Sequence, residues 1–114
     1  MAKVVLVCGG RDYKDSKHVD EVLSGMLAHY GELIIVHGNA GGADSEAAYW
    51  AQLNDQHKVG MPAIWRRHNR AAGPIRNSMM LKLRPDICVA FPGGAGTADM
   101  VKKARTAGVE TYEV

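Results

Sequence analysis

Two cysteines, one phenylalanine and four prolines are all that this 114-residue chain holds of those types, and no apolar run exceeds the length of a strand. The short runs exclude a membrane-spanning helix, which needs about 20 consecutive apolar residues. Met1-Ala2-Lys3 leads into a strand rather than a cleavable signal, so a cytoplasmic location and no membrane partner are expected. Cys8 and Cys88 both fall inside apolar runs, where a thiol behaves as a small buried hydrophobe, and no disulfide is expected of them. No spacing of His, Cys and Asp resembles a metal site, so neither a metal nor a cofactor is expected. A net charge of +2 with 6% aromatic residues is thin for a phosphate-backbone binder, and nucleic acid is not an expected partner. Repeats, low-complexity tracts and linkers are missing too. With 46% hydrophobic and 23% charged residues, residues 1–114 read as one ordinary globular domain.

What the chain does have is glycine, placed where apolar runs end. Ala90-Phe91-Pro92-Gly93-Gly94-Ala95-Gly96-Thr97-Ala98-Asp99 carries a run into closely spaced glycines and then into a helix-compatible stretch. Val7-Cys8-Gly9-Gly10-Arg11-Asp12 and Val36-His37-Gly38-Asn39-Ala40-Gly41-Gly42-Ala43-Asp44 follow the same grammar. Glycines at a strand end let backbone N–H groups approach an anion closely, and the next helix adds free N–H groups and a dipole.

Lys3–Cys8, Leu33–Val36 and Ile87–Phe91 are nearly continuous apolar runs, as strands buried on both faces are. Val59–Trp65, broken by Gly60 and Pro62, reads as an edge strand, and Glu110–Val114 as a short last one. Between them the period changes. Val19, Val22, Leu23, Met26, Leu27 and Tyr30 share one helical face, with Ser16 as N-cap and Gly31 as stop. Ala47, Trp50, Ala51 and Asn54 mark a second helix, Ile75, Met79 and Leu83 a third ended by Pro85, and Ala98, Val101, Ala104 and Gly108 a fourth. Residues 65–73 read as an irregular basic loop, with Pro74 at the first position of the third helix. The alternation predicts an α/β three-layer Rossmann-like sandwich of about five parallel strands in order 3-2-1-4-5, with Gly9-Gly10 and Gly93-Gly94 meeting at the switch point.

The candidate ligand-binding residues follow from that meeting. Pro92, Gly93, Gly94, Gly96 and Thr97 would hold a phosphate, Thr97 also capping the last helix, and Arg11 and Arg76 would neutralise it. Gly9, Gly10, Asp12, Gly42, Asp44 and Asn77 would shape the rest of the site. Each aspartate has a structural alternative in capping backbone N–H groups. His37 reads as a hydrogen-bonded structural imidazole, and His18, His29 and His57 as surface residues. Trp65 and Tyr13 could stack on a base or equally fill a core edge.

The glycine motifs, with Ala72-Gly73-Pro74-Ile75-Arg76-Asn77, resemble the YpsA-related branch of the SLOG superfamily over nearly the whole chain. The resemblance implies a Rossmann-like fold, a nucleotide or ribose-phosphate-containing ligand such as an ADP-ribose derivative, and a homodimer or higher homo-oligomer. Some SLOG members, the lonely-guy phosphoribohydrolases, cleave the base from a nucleotide, and others bind single-stranded DNA. The hydrolase pattern Pro-Gly-Gly-x-Gly-Thr-x-x-Glu puts its glutamate at Met100 here, with Asp99 one place earlier and about 100° away around a helix. A binding protein that senses or sequesters its ligand is therefore expected. An N-glycosidase using Asp99, Asp44 and Arg76 is the first alternative, and a single-stranded DNA module using residues 65–70 the second.

Overall fold

The computed structural model describes residues 1–114. Strands β1 (Lys3–Cys8), β2 (Leu33–His37), β3 (His57–Gly60), β4 (Ile87–Ala90) and β5 (Glu110–Glu113) form one sheet, all parallel, in the order β3-β2-β1-β4-β5. Helix α1 (Ser16–Tyr30) connects β1 to β2, and α2 (Ala43–Leu53) connects β2 to β3. A short α3 (Trp65–His68), a 3-10 turn (Asn69–Ala71) and α4 (Ala72–Leu81) lead to β4, and α5 (Ala95–Thr106) leads to β5. The expected sheet order and layering are those observed.

Side-chain alternation splits the sheet between two cores. Val5, Val7, Leu33, Ile35, Ile87 and Val89 face α1 and α2, packing with Val19, Leu23, Ala47, Trp50 and Ala51. Leu6, Cys8, Val36, Cys88 and Ala90 face the other layer, against Met80, Met100, Val101 and Ala104. Because β1 and β4 are buried on both faces, their sequences are apolar without a period of two. Cys8 and Cys88 are free, buried thiols. No helix is long and apolar enough to cross a membrane.

Several local expectations are corrected. Asp15, not Ser16, caps α1, its side chain accepting from the His18 N–H at 3.1 Å. The edge strand β3 begins at His57 and ends at Gly60, earlier than the apolar residues suggest, because it is exposed along its whole length and follows backbone pairing with β2. Residues 65–73 are mostly helical, broken by Asn69 at φ +52°, and α4 starts at Ala72, which puts Pro74 at its third position. The stripe Ile75, Met79 and Leu83 faces solvent, while α4 buries Ala72, Gly73, Asn77 and Met80 instead. His18 is half-buried, its ring edge-on to Phe91 at 5.7 Å.

Candidate functional site

Three strand ends converge. The Gly10 N–H donates to the Pro92 carbonyl at 2.8 Å, and the Gly10 carbonyl accepts from the Ala43 N–H at 3.1 Å, so the loops after β1, β2 and β4 are joined through one residue. That proximity leaves no space for side chains at the junction. A Cβ on Gly9 would stand 2.5 Å from that of Ala43, and one on Gly10 would stand 3.1 Å from the Pro92 carbonyl oxygen.

Above the junction opens a cleft of about 490 Å³, within the range of small-molecule sites. Gly9, Gly10, Arg11, Asp44, Arg76, Asn77, Gly94, Gly96, Thr97 and Asp99 all line it. The remaining candidates do not. Pro92 and Gly93 line a separate hollow beside Val101 and Glu113, Gly42 sits behind Gly10, and Asp12 is in an exposed turn. Tyr13 packs on Phe91 with ring centroids 5.4 Å apart, outside the cleft. Trp65, a base-stacking candidate, lines the cleft as well, together with Arg70 of the basic segment, Gly38 and Gly73. Gly38 had a readable signal in the glycine-rich end of β2. The placement of Arg70 and Gly73 depends on how residues 65–73 fold, which has no periodic signature.

The N-terminus of α5 forms one wall. Gly94 occupies the N-cap position without a side-chain cap, and the first helical bond is Ala98 N–H to the Gly94 carbonyl. The N–H groups of Ala95, Gly96 and Thr97 therefore have no protein acceptor. Thr97 is the third residue of the helix rather than its cap, because the helix begins a turn earlier than the hydroxyl suggests.

Opposite lies a polar network. Arg76 donates through a terminal nitrogen to the Gly38 carbonyl at 2.6 Å and through Nε to Asn77 Oδ1 at 3.0 Å. Asn77 Nδ2 donates to the Gly96 carbonyl at 3.1 Å and to Asp99 Oδ2 at 3.0 Å, and Lys103 Nζ also meets Asp99 at 3.0 Å. Asn77 thus ties α4 to the first turn of α5. Burial alone would raise the Asp99 pKa, but the hydrogen bonds from Asn77 and Lys103 and the charges of Lys103 and Lys102 outweigh it and hold the group ionised. Met100, at the position of the hydrolases' glutamate, is fully buried in the core.

Asp44 is buried and accepts from the Gly38 and Ala40 N–H groups at 2.9 and 3.2 Å, so it shapes the loop after β2. Burial raises its pKa, against those two hydrogen bonds and the charges of Arg76 and Arg11. His37 accepts from the Asn39 N–H at 3.0 Å, and burial with the nearby Lys58 charge lowers its pKa, so it is a neutral structural imidazole.

The role of Asp44 is measurable. Asp44→Ala leaves the buried Gly38 N–H and the part-buried Ala40 N–H unpaired and is expected to cost about 2 kcal/mol of unfolding free energy, whereas Asp44→Asn keeps an acceptor and costs less than about 1. A raised native pKa means the folded state holds the proton more tightly. Relative to Asp44→Asn, the wild type is therefore expected to be most stable below about pH 3.8 and to lose that advantage as pH rises through the native pKa. Urea unfolding of the three proteins across pH 3 to 7 reads both effects, and equal stabilities would refute the loop-shaping role.

The cleft is cationic. The chain's two ion pairs are Lys103 with Asp99 and Arg105 with Glu113, so Arg11, Arg70 and Arg76 all line the cleft without a carboxylate within salt-bridge distance.

Comparison with known proteins agrees with this architecture. The Gene 61 protein of Mycobacterium phage D29 is 37% identical over an alignment 114 positions long that covers 92% of this chain and 90% of that protein. The X-ray structure of DNA processing protein A from Streptococcus pneumoniae matches 98% of this chain with a TM-score of 0.72 at 21% identity. This chain spans 50% of the length of that structure, and the likeness is one of fold. Residues 3–68, more than half of the chain, match the family model described as YspA, cpYpsA-related SLOG. With that match running from β1 through the end of β2 and beyond, the chain belongs to the YspA, cpYpsA-related SLOG family.

Proposed function

We propose that the protein binds a nucleotide or nucleotide-derived ligand, its phosphate at the first turn of α5 and its ribose and base along the cleft toward Trp65. The observation that carries this reading is the pairing of helix donors without acceptors with cations without carboxylate partners. Three helix N–H groups lacking acceptors and three arginines lacking carboxylates line one cleft, and an anion would satisfy both sets. Family membership supports a nucleotide as the source of that anion. Binding without cleavage is favoured because Met100, buried in the core, stands where the hydrolases carry their glutamate, and the two aspartates of the cleft serve its walls: Asp44 Oδ2 accepts from two backbone N–H groups and Asp99 Oδ2 from Asn77 and Lys103.

Arg76 is the arginine to test, since its guanidinium is already fixed by Gly38 and Asn77. Losing one charge-assisted contact of about 2 kcal/mol would weaken binding about 30-fold. Calorimetric titration with AMP and ADP-ribose is therefore expected to show affinity reduced by that factor in Arg76→Ala, with the ligands recovered intact by chromatography. Equal affinity in the variant removes Arg76 from the site, and released base would favour the N-glycosidase reading.

A further inference from the structure

Trp65 is 46% exposed, whereas the chain's other tryptophan, Trp50, is buried and donates from Nε1 to Ser24 Oγ at 3.0 Å. An exposed indole on a four-residue helix needs an explanation, and its surroundings supply one. Trp65 lines the same cleft as the α5 N-terminus, and the Arg11 guanidinium is over its ring, 5.3 Å from the centroid. Gly73 packs along the indole; a Cβ there would stand 3.5 Å from Cη2. The ring is thus held at the cleft by a bare stretch of α4 and stacked only by a cation that has no carboxylate partner.

We infer that Trp65 is a stacking platform for a planar aromatic ring of the ligand, and that this ring displaces Arg11, which then pairs with the ligand's phosphate. The inference rests on the binding reading above and deepens it by naming the side chain that meets the base and the cation that gives way to it. An indole presents a large apolar face to a base at little conformational cost, and stacking is sequence-tolerant because every base has a π-face. The exchange also accounts for Arg11. A guanidinium on a solvent-exposed aromatic face is held weakly, so a better stacking partner releases it.

The probes are AMP and ribose 5-phosphate, which share the phosphate and the sugar and differ by the base. The wild type is expected to bind AMP at least about tenfold more tightly than ribose 5-phosphate, the worth of one stacked base. That ratio is expected to fall to within about twofold in Trp65→Ala and to be partly restored in Trp65→Phe. AMP, but not ribose 5-phosphate, is expected to quench the fluorescence of the exposed tryptophan, and Trp65→Phe to remove the quenching. An affinity ratio unchanged by Trp65→Ala overturns the inference. Equal binding of the two probes by the wild type overturns it while leaving the phosphate site standing. Binding of neither probe overturns both.

Discussion

Gly94→Val is expected to reduce AMP affinity more than about 100-fold while changing the unfolding free energy by no more than about 1 kcal/mol. The fold places no demand on this glycine: a Cβ there would meet no atom within 4 Å, and its φ of −102° is open to any residue. The open space is the mouth of the cleft in front of the first turn of α5, so a branched side chain would stand where the anion must approach. Its neighbour behaves oppositely. A Cβ on Gly93 would overlap Thr97 Oγ1 and stand 2.7 Å from the Gly10 nitrogen, so Gly93→Ala is a loss of fold rather than of ligand. The pair separates the two duties of a glycine-rich loop, close packing at one residue and close approach at the next. Titration calorimetry on Gly94→Val, with urea unfolding alongside, checks the assignment; unchanged affinity would move the phosphate elsewhere.

That separation shows where the sequence was readable and where it was not. The sheet order was legible because β1 and β4 are buried on both faces and therefore carry apolar runs with no alternation. The meeting of the β1 and β4 loops followed from that order. The buried face of α4 is not legible, for a physical reason. Asn77 is buried because it bonds to Gly96 and Asp99, and Gly73 because Trp65 packs on it, so the hidden face of α4 is small and polar. Its apolar stripe is the exposed one, and a search for apolar periodicity selects the wrong side. Arg76 is legible as a candidate, but its anchor on the Gly38 carbonyl, 38 residues away in the chain, has no local signature. Gly42 shared its motif with Gly38 and Gly41, and nothing in the residue string distinguishes a glycine that lines the cleft from one wedged beneath it.

Gly42→Ala tests that last distinction and should be the most damaging single-methyl change in the loop after β2. Gly42 adopts φ +51° and ψ −122°, a conformation that side chains rarely enter. A Cβ there would also overlap the carbonyl oxygens of Gly10 and Arg11. Those contacts are backbone, so no rotamer change relieves them. Relief requires moving the β1 loop away from the N-terminus of α2, which would break the Ala43 N–H to Gly10 carbonyl bond on which the convergence of the three strand ends depends. Strain and lost packing together are expected to cost at least about 3 kcal/mol, a large share of the stability of a small domain. Gly41→Ala provides the comparison. Its φ is also positive, +83°, but the nearest atom to an added Cβ is 4.0 Å away, so only the backbone conformation is penalised, by about 1 kcal/mol. Thermal and urea unfolding should therefore rank wild type above Gly41→Ala and both well above Gly42→Ala. Two glycine variants of equal stability would mean that the β1 and β2 loops are not locked together, and the cleft they frame would lose its rigid floor.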